Sequence, residues 1–246
     1  MRLSALAAGL GLALGAGTAL AQGAAGFGIE LVDQGGEEVS AALRILLALT
    51  VLSLIPAILV AMTAFTRIII VLSMLRHALG MQETPPNMVL IGLALFLTLF
   101  TMLPVVNQVN ERAFTPYLGG TLPLRDAAEQ AVGPLRDFMV RQTREQDLAL
   151  MVELSKAAPP ATIEDIRLVQ LVPAFMLSEL RSAFQIGFVV FLPFLLIDLI
   201  VSSILMSLGM MMMPPVMVSL PFKLLLFVLV DGWGLIVRSL VQSYGG

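Results

Sequence analysis

Apolar residues in this chain come in long unbroken runs, not in the alternation of a half-buried strand, and those runs set the expected elements. Residues 45–65 are 21 positions without a charge, enough for a helix to cross a hydrocarbon core that needs about 20. Pro56 inside the run predicts a kink. After Arg67 the apolar text resumes over 68–75 and stops at Arg76 and His77. A single helix over 45–79 would be roughly 50 Å long. The pattern therefore predicts either a tilted, projecting helix or a break near Thr66 and Arg67. Gly80 reads as a helix stop, with Pro85 and Pro86 blocking continuation.

Residues 88–106 are the cleanest segment, 19 positions with no charge. From 107 to about 183 the character changes, with eight basic and ten acidic residues and prolines at Pro116, Pro123, Pro134, Pro159 and Pro160. Within that stretch 134–156 predicts an amphipathic helix, with Leu135, Phe138, Leu148, Met151 and Val152 opposed to Arg141, Arg144, Glu145 and Asp147. A third apolar segment, 187–208, is interrupted by Asp198. Residues 209–215, Gly-Met-Met-Met-Met-Pro-Pro, form an apex. The fourth segment, 216–237, is a poor lipid span because Lys223 and Asp231 sit inside it.

The start of the chain reads as a cleavable signal peptide: Arg2, an apolar stretch over 3–14, then Ala19, Leu20 and Ala21 before Gln22. The alternative is an uncleaved first span. The expected organisation is all-α: signal peptide 1–21, a periplasmic segment 22–43, a first helical hairpin 44–106, a polar helical insert 107–183, and a second hairpin 184–246 with its Met-rich loop at 209–215. With a periplasmic N-terminus, four crossings put Arg67, Arg76 and His77 inside and the net-negative insert outside, as the positive-inside rule prefers.

Composition narrows the function. Of 246 residues, 58% are hydrophobic and 13% charged, with a net charge of −3, against about half and a quarter in soluble domains. No basic stripe invites nucleic acid. The absence of cysteine and the single histidine, His77, remove disulfides, thiolate sites and His-rich metal clusters from consideration. The chain contains no phosphate loop, no H-E-x-x-H and no nucleophile–base set. Asp198 and Asp231 lack the G-x-G-D setting that would suggest an intramembrane aspartyl protease. No enzymatic activity, cofactor or metal is expected.

Charges inside apolar segments carry more. Arg67, Asp198, Lys223 and Asp231 would each cost about 2.5–3.5 kcal/mol facing lipid at midplane, so they should face a bundle interior or a water-filled path. Asp198 and Lys223 lie 12 and 13 residues from Met210, which sets them at similar depth in an antiparallel pair. They form either a structural pair joining helices or subunits, or part of a proton relay. The pair is favoured, because a relay needs more titratable groups in series. Met210, Met211, Met212 and Met213 are consecutive on a turn, whereas a helical core face would space them by three or four. Flexible thioethers there suit a deformable gasket or a partner-contact loop better than core packing.

These residues carry a family likeness. Pro173-Ala174-Phe175-Met176-Leu177-Ser178-Glu179-Leu180-Arg181 and the text on to Phe188, Leu192-Pro193-Phe194-Leu195-Leu196-Ile197-Asp198-Leu199, and Gly209-Met210-Met211-Met212 with Pro214-Pro215 resemble the FliP family of type III export-gate subunits. So do Leu220-Pro221-Phe222-Lys223, Asp231-Gly232-Trp233, Phe65-Thr66-Arg67-Ile68 and Thr84-Pro85-Pro86-Asn87. The resemblance spans roughly 43–244 and is loose over 107–156. It implies a core subunit of the flagellar export gate at the basal body in the bacterial inner membrane. Several copies, five by analogy, would form a helical ring with Q-type and R-type subunits and other export apparatus proteins. Unfolded rod, hook and filament proteins would pass through it. The methionine run is similar to the family's constricting loop, with Met213 as an additional thioether. Arg67, Glu179, Arg181, Asp198, Lys223 and Asp231 are the expected buried, pairing charges. The family's gate sits largely above the membrane plane, against a plain four-crossing topology. Two alternatives are a virulence-type (injectisome) gate subunit and an ion channel or transporter subunit using Asp198, Lys223 and Asp231.

Overall fold

The computed structural model describes residues 41–156, 162, 165–210 and 212–245, and every regular element among them is a helix. The expected signal peptide at 1–21 lies outside the described residues. The chain divides into two compact units at Ile58. Of the first, the described part is helix α1 (Ala41–Met62) up to Ile58, with Pro56 inside it. The second unit begins with the last residues of α1 and holds everything discussed below.

Helix α2 (Phe65–Ala78) follows α1 after a break at Thr63 and Ala64. That break falls just before the expected one, so Arg67 lies inside the first turn of α2. Hydroxyls stabilise it. Thr63 Oγ1 donates to the Leu59 carbonyl (2.5 Å) and Thr66 Oγ1 to the Val60 carbonyl (2.8 Å), satisfying backbone acceptors at the interrupted helix end. Helix α2 is the centre of the core. Ile68, Val71, Leu72, Leu75 and Ala78 are fully buried, and their three-to-four spacing gives a stripe that neighbours cover.

Those neighbours come from across the chain. Helix α3 (Asn87–Val109) contributes Leu90, Ala94, Leu97, Met102 and Val105. A short π-helical turn (Asn110–Phe114) and α4 (Thr115–Leu118) continue it. Helices α5 (Leu124–Gln142) and α6 (Glu145–Leu154) replace the single amphipathic helix expected over 134–156. Pro134 sits inside α5, and the extended backbone of Thr143 and Arg144, at ψ 132° and 140°, parts the two helices.

Helix α7 (Leu168–Ser207) runs 40 residues without a break through the expected insert boundary at 183. It buries Leu171, Phe175 and Ala183 against α2, then only a narrow stripe, Gly187, Phe194, Val201 and Leu205. At about 60 Å it is roughly twice the thickness of a hydrocarbon core. Helices α8 (Pro215–Leu229) and α9 (Gly232–Gln242) divide the fourth apolar segment with a 64° bend. Asp231, at φ 51°, makes the bend; Asp is among the few non-glycine residues that tolerate the left-handed region. Gly232 follows because a Cβ there would strike the Phe227 ring.

By length and composition, α3 extended to Leu118 and α7 can each cross a membrane, and the bent α8–α9 pair passes the same test together. Their outer faces remain apolar. Phe96 and Phe100 on α3, Phe188, Leu196 and Leu199 on α7, and Met217, Phe222, Val228 and Leu229 on α8 are exposed. A contiguous apolar surface of this kind requires lipid or protein against it.

Candidate functional site: internal charge pairs and a methionine loop

Three charge clusters hold the helices together, and two of them grow from residues that local sequence placed inside an apolar element. At one end of α2, the Arg67 guanidinium, 4% exposed as a residue, forks onto Glu179 of α7. Its Nε donates to Oε2 at 3.0 Å and its Nη2 to Oε1. Nη1 donates to the Ser243 carbonyl (3.1 Å) and hydroxyl (3.0 Å), and Nη2 also to Gln142 Oε1 (3.3 Å). All five guanidinium N–H groups are thereby used. The Tyr244 ring stacks beneath, its centroid 3.9 Å from the guanidinium carbon, and its hydroxyl donates to Glu179 Oε2 at 2.6 Å. Burial raises the Tyr244 phenol above its ordinary value, with the Glu179 carboxylate adding to the effect, so it stays a donor. One buried ion pair thus joins α2, α5, α7 and the C-terminal residues.

At the opposite end of α2 the structure brings Lys223 and Asp198 together. Lys223 Nζ lies 2.6 Å from Asp198 Oδ2 and 3.1 Å from the Ala78 carbonyl. Ser219, one turn before Lys223 on α8, donates to Asp198 Oδ1 at 2.6 Å. An ammonium on the last carbonyls of α2 also suits the negative end of that helix. Lys223 is 3% exposed, while the Asp198 side chain is one-third exposed. The cluster ties α2, α7 and α8 at one point.

Arg181 of α7 reaches Asp147 in the first turn of α6, Nη2 to Oδ1 at 3.1 Å, and Ser178 donates to Asp147 Oδ2 at 2.7 Å. Here the sequence reading is corrected. Asp147 does not face water with Arg141 and Glu145; it is 1% exposed, because the break at Thr143 and Arg144 rotates α6 onto α7. The Arg181 side chain is the exposed partner, at 42%. Asp231 joins none of these clusters. It is exposed at the α8–α9 bend, its carboxylate folded over Gly234. Ser219, Gln142, Ser243 and Tyr244 were not singled out from sequence, and Asp147 and Ser178 were named there without a pairing role. Small polar side chains in helical text carry no local sign of which face they occupy.

The methionine loop lies between α7 and α8. The last turn of α7 closes by two backbone bonds, Met210 N–H to the Leu205 carbonyl and Gly209 N–H to the Met206 carbonyl, both marks of a Schellman stop. Gly209 takes φ +75°, which that stop requires of its left-handed residue. Gly80 ends α2 in the same way, with φ +79°. Pro215 at the first position of α8 needs no N–H partner there. Between these stops the side chains project outward. Met212 is 99% exposed, and Met210 and Met213 are about two-fifths exposed. Met211 lies outside the described residues. Among the described residues no group of three or more His, Asp or Glu is placed to hold a metal.

Known proteins resemble this chain over most of its length. A FliP family sequence profile matches residues 48–240. The flagellar biosynthetic protein FliP of Bacillus subtilis (strain 168) is 55% identical over 208 residues, covering 85% of this chain and 94% of that protein. The protein of the same name from Pectobacterium carotovorum subsp. carotovorum is 53% identical over 213 residues, 87% of this chain and 83% of that one. That of Caulobacter vibrioides is 52% identical over 196 residues, 80% and 74% respectively.

Proposed function

This chain belongs to the FliP family, and we propose that it is a core, non-enzymatic subunit of the flagellar type III export gate. Several copies, five by analogy, form a helical ring in the bacterial inner membrane at the basal body, with Q-type and R-type subunits. Each copy contributes two helical hairpins, 44–106 and 184–246, and a polar insert, 107–183, on the periplasmic side. Unfolded flagellar proteins pass through the ring.

The observation that carries the reading is the methionine loop. Gly209 and Pro214 fix its ends, and Met212 between them is almost fully exposed among the described residues. Around a ring axis, several such loops make a dry plug, and an apolar constriction excludes water and ions by dewetting. Unbranched thioethers re-pack around many sequences, which suits varied cargo. Arg67, Glu179, Asp198, Lys223, Asp147 and Arg181 are meanwhile paired within the subunit in the three clusters, and apolar faces of α3, α7 and α8 remain for lipid or neighbours.

The test is a conductance measurement on the purified, assembled ring in which Met210, Met211 and Met212 are replaced by Ala. The expected outcome is intact assembly with ion leakage at rest. An assembled variant as tight as wild type would refute the plug, and a variant that fails to assemble would favour a packing role. Restored swimming of a deletion strain carrying this gene distinguishes a flagellar from a virulence-type gate.

A further inference from the structure

We propose that Met212 is an oxidation site, at which sulfoxide formation by a hydroperoxide opens the resting constriction to ions. The inference rests on the loop acting as the dry plug described above.

The argument begins with sulfur. The chain has 15 methionines and no cysteine, so thioethers are its whole two-electron redox chemistry. Their exposures span the full range. Met139 is 0% and Met102 4% exposed, deep in the core, whereas Met212 is 99% exposed. Exposure alone does not single out Met212, because Met88, Met206 and Met217 are also open. Those three, however, sit on the helical text of α3, α7 and α8, whose apolar faces demand lipid or protein cover. Among the described residues the methionines beyond the helix ends are Met81, which packs against the core, and those of the Gly209–Pro214 loop. A channel lumen keeps water, and any solute dissolved in it, on at least one side of that loop.

The chemistry is self-contained once the oxidant is a hydroperoxide. A thioether lone pair attacks the terminal peroxide oxygen, an S–O bond forms and the O–O bond breaks. The sulfur loses two electrons. The departing oxygen takes the proton from the transferred one and leaves as water when the oxidant is hydrogen peroxide. The product is polar and chiral where the parent was apolar and flexible. A dewetted constriction depends on having no such group, because a strong acceptor at the narrowest point stabilises water there. Sulfoxide reductases reverse the reaction, so the change is reversible.

The experiment uses the assembled complex in a lipid bilayer with millimolar hydrogen peroxide, followed by residue-resolved mass spectrometry and conductance. Met212 should oxidise on the order of tenfold faster than Met139 and Met102, following exposure. Conductance should rise with the Met212 sulfoxide fraction and fall back on treatment with methionine sulfoxide reductases. Met212→Leu, similar in volume and inert to peroxide, should lose most of the peroxide-induced increment, with Met212 replaced as the oxidised position. Equal oxidation of Met212 and Met139 overturns the inference, as does Met212 sulfoxide without a rise in conductance. The Ala variant of the loop separates the two claims. If it leaks while peroxide leaves the wild-type complex tight, the plug stands and the oxidation switch falls; if it is tight, the plug itself fails.

Discussion

Breaking the Arg67–Glu179 pair gives the most quantitative check on how this subunit is held together. Glu179→Gln preserves the shape of the side chain and removes its charge, facing a guanidinium whose side chain is 5% exposed. The remaining acceptors, Ser243 and Gln142, are neutral, so the cation is stranded. Removing one member of a buried pair costs about 3–5 kcal/mol. For a chain of this length, about 2–4 °C of thermal midpoint is lost per kcal/mol. Together these imply a midpoint roughly 6–20 °C lower for the purified complex, measured at one scan rate. Arg67→Met strands the carboxylate instead, but Tyr244 still donates to it at 2.6 Å, which places this variant toward the smaller end of that range. The double variant leaves no charge at this site. It should therefore be no worse than the worse single variant, a coupling of at least about 3 kcal/mol. Losses that add to within about 0.5 kcal/mol, or a Glu179→Gln midpoint unchanged, would refute the claim that the pair joins α2, α5, α7 and the C-terminal residues.

At the other end of α2, Asp198→Ala should destabilise assembly by about 3 kcal/mol, the lower part of the buried-pair range because Asp198 is one-third exposed. Exchanging Asp198→Lys with Lys223→Asp should recover only part of this, since the new carboxylate would face the Ala78 carbonyl, now 3.1 Å from Nζ; yield of assembled ring after purification reads both. A variant that assembles but exports nothing would instead favour a proton relay. Gly187→Val should cost about 1–3 kcal/mol by overpacking, because a Cβ there collides with the Met74 thioether. Met74→Ala should rescue it, and absence of rescue in a thermal melt would show that α2 and α7 do not meet there. Gly209→Ala, forced to φ +75°, should cost about 1 kcal/mol or more and loosen the stop of α7, seen as faster amide exchange at Met210; unchanged exchange would count against the Schellman geometry.

What the sequence alone determined follows from properties that are local. Run length and charge density mark the apolar helices, and Gly80, Gly209 and the paired prolines mark their stops, because each acts through its own backbone or its immediate neighbours. The near-equal spacing of Asp198 and Lys223 from Met210 was legible for the same reason: two helices leaving one short turn share their register near it. Asp231 was expected as a buried pairing charge within one segment; the structure instead leaves it exposed at the bend between α8 and α9. Tertiary structure decided the rest. Arg67 was legible as a charge inside apolar text, but it finds Glu179 across 112 residues and Ser243 across 176, and no local pattern names those partners. Asp147 is buried only because two residues of extended backbone turn α6 onto α7. A side chain's type is written in the sequence, but the face it occupies depends on how distant helices are rotated against each other, and that rotation is set by the packing of the whole core around α2.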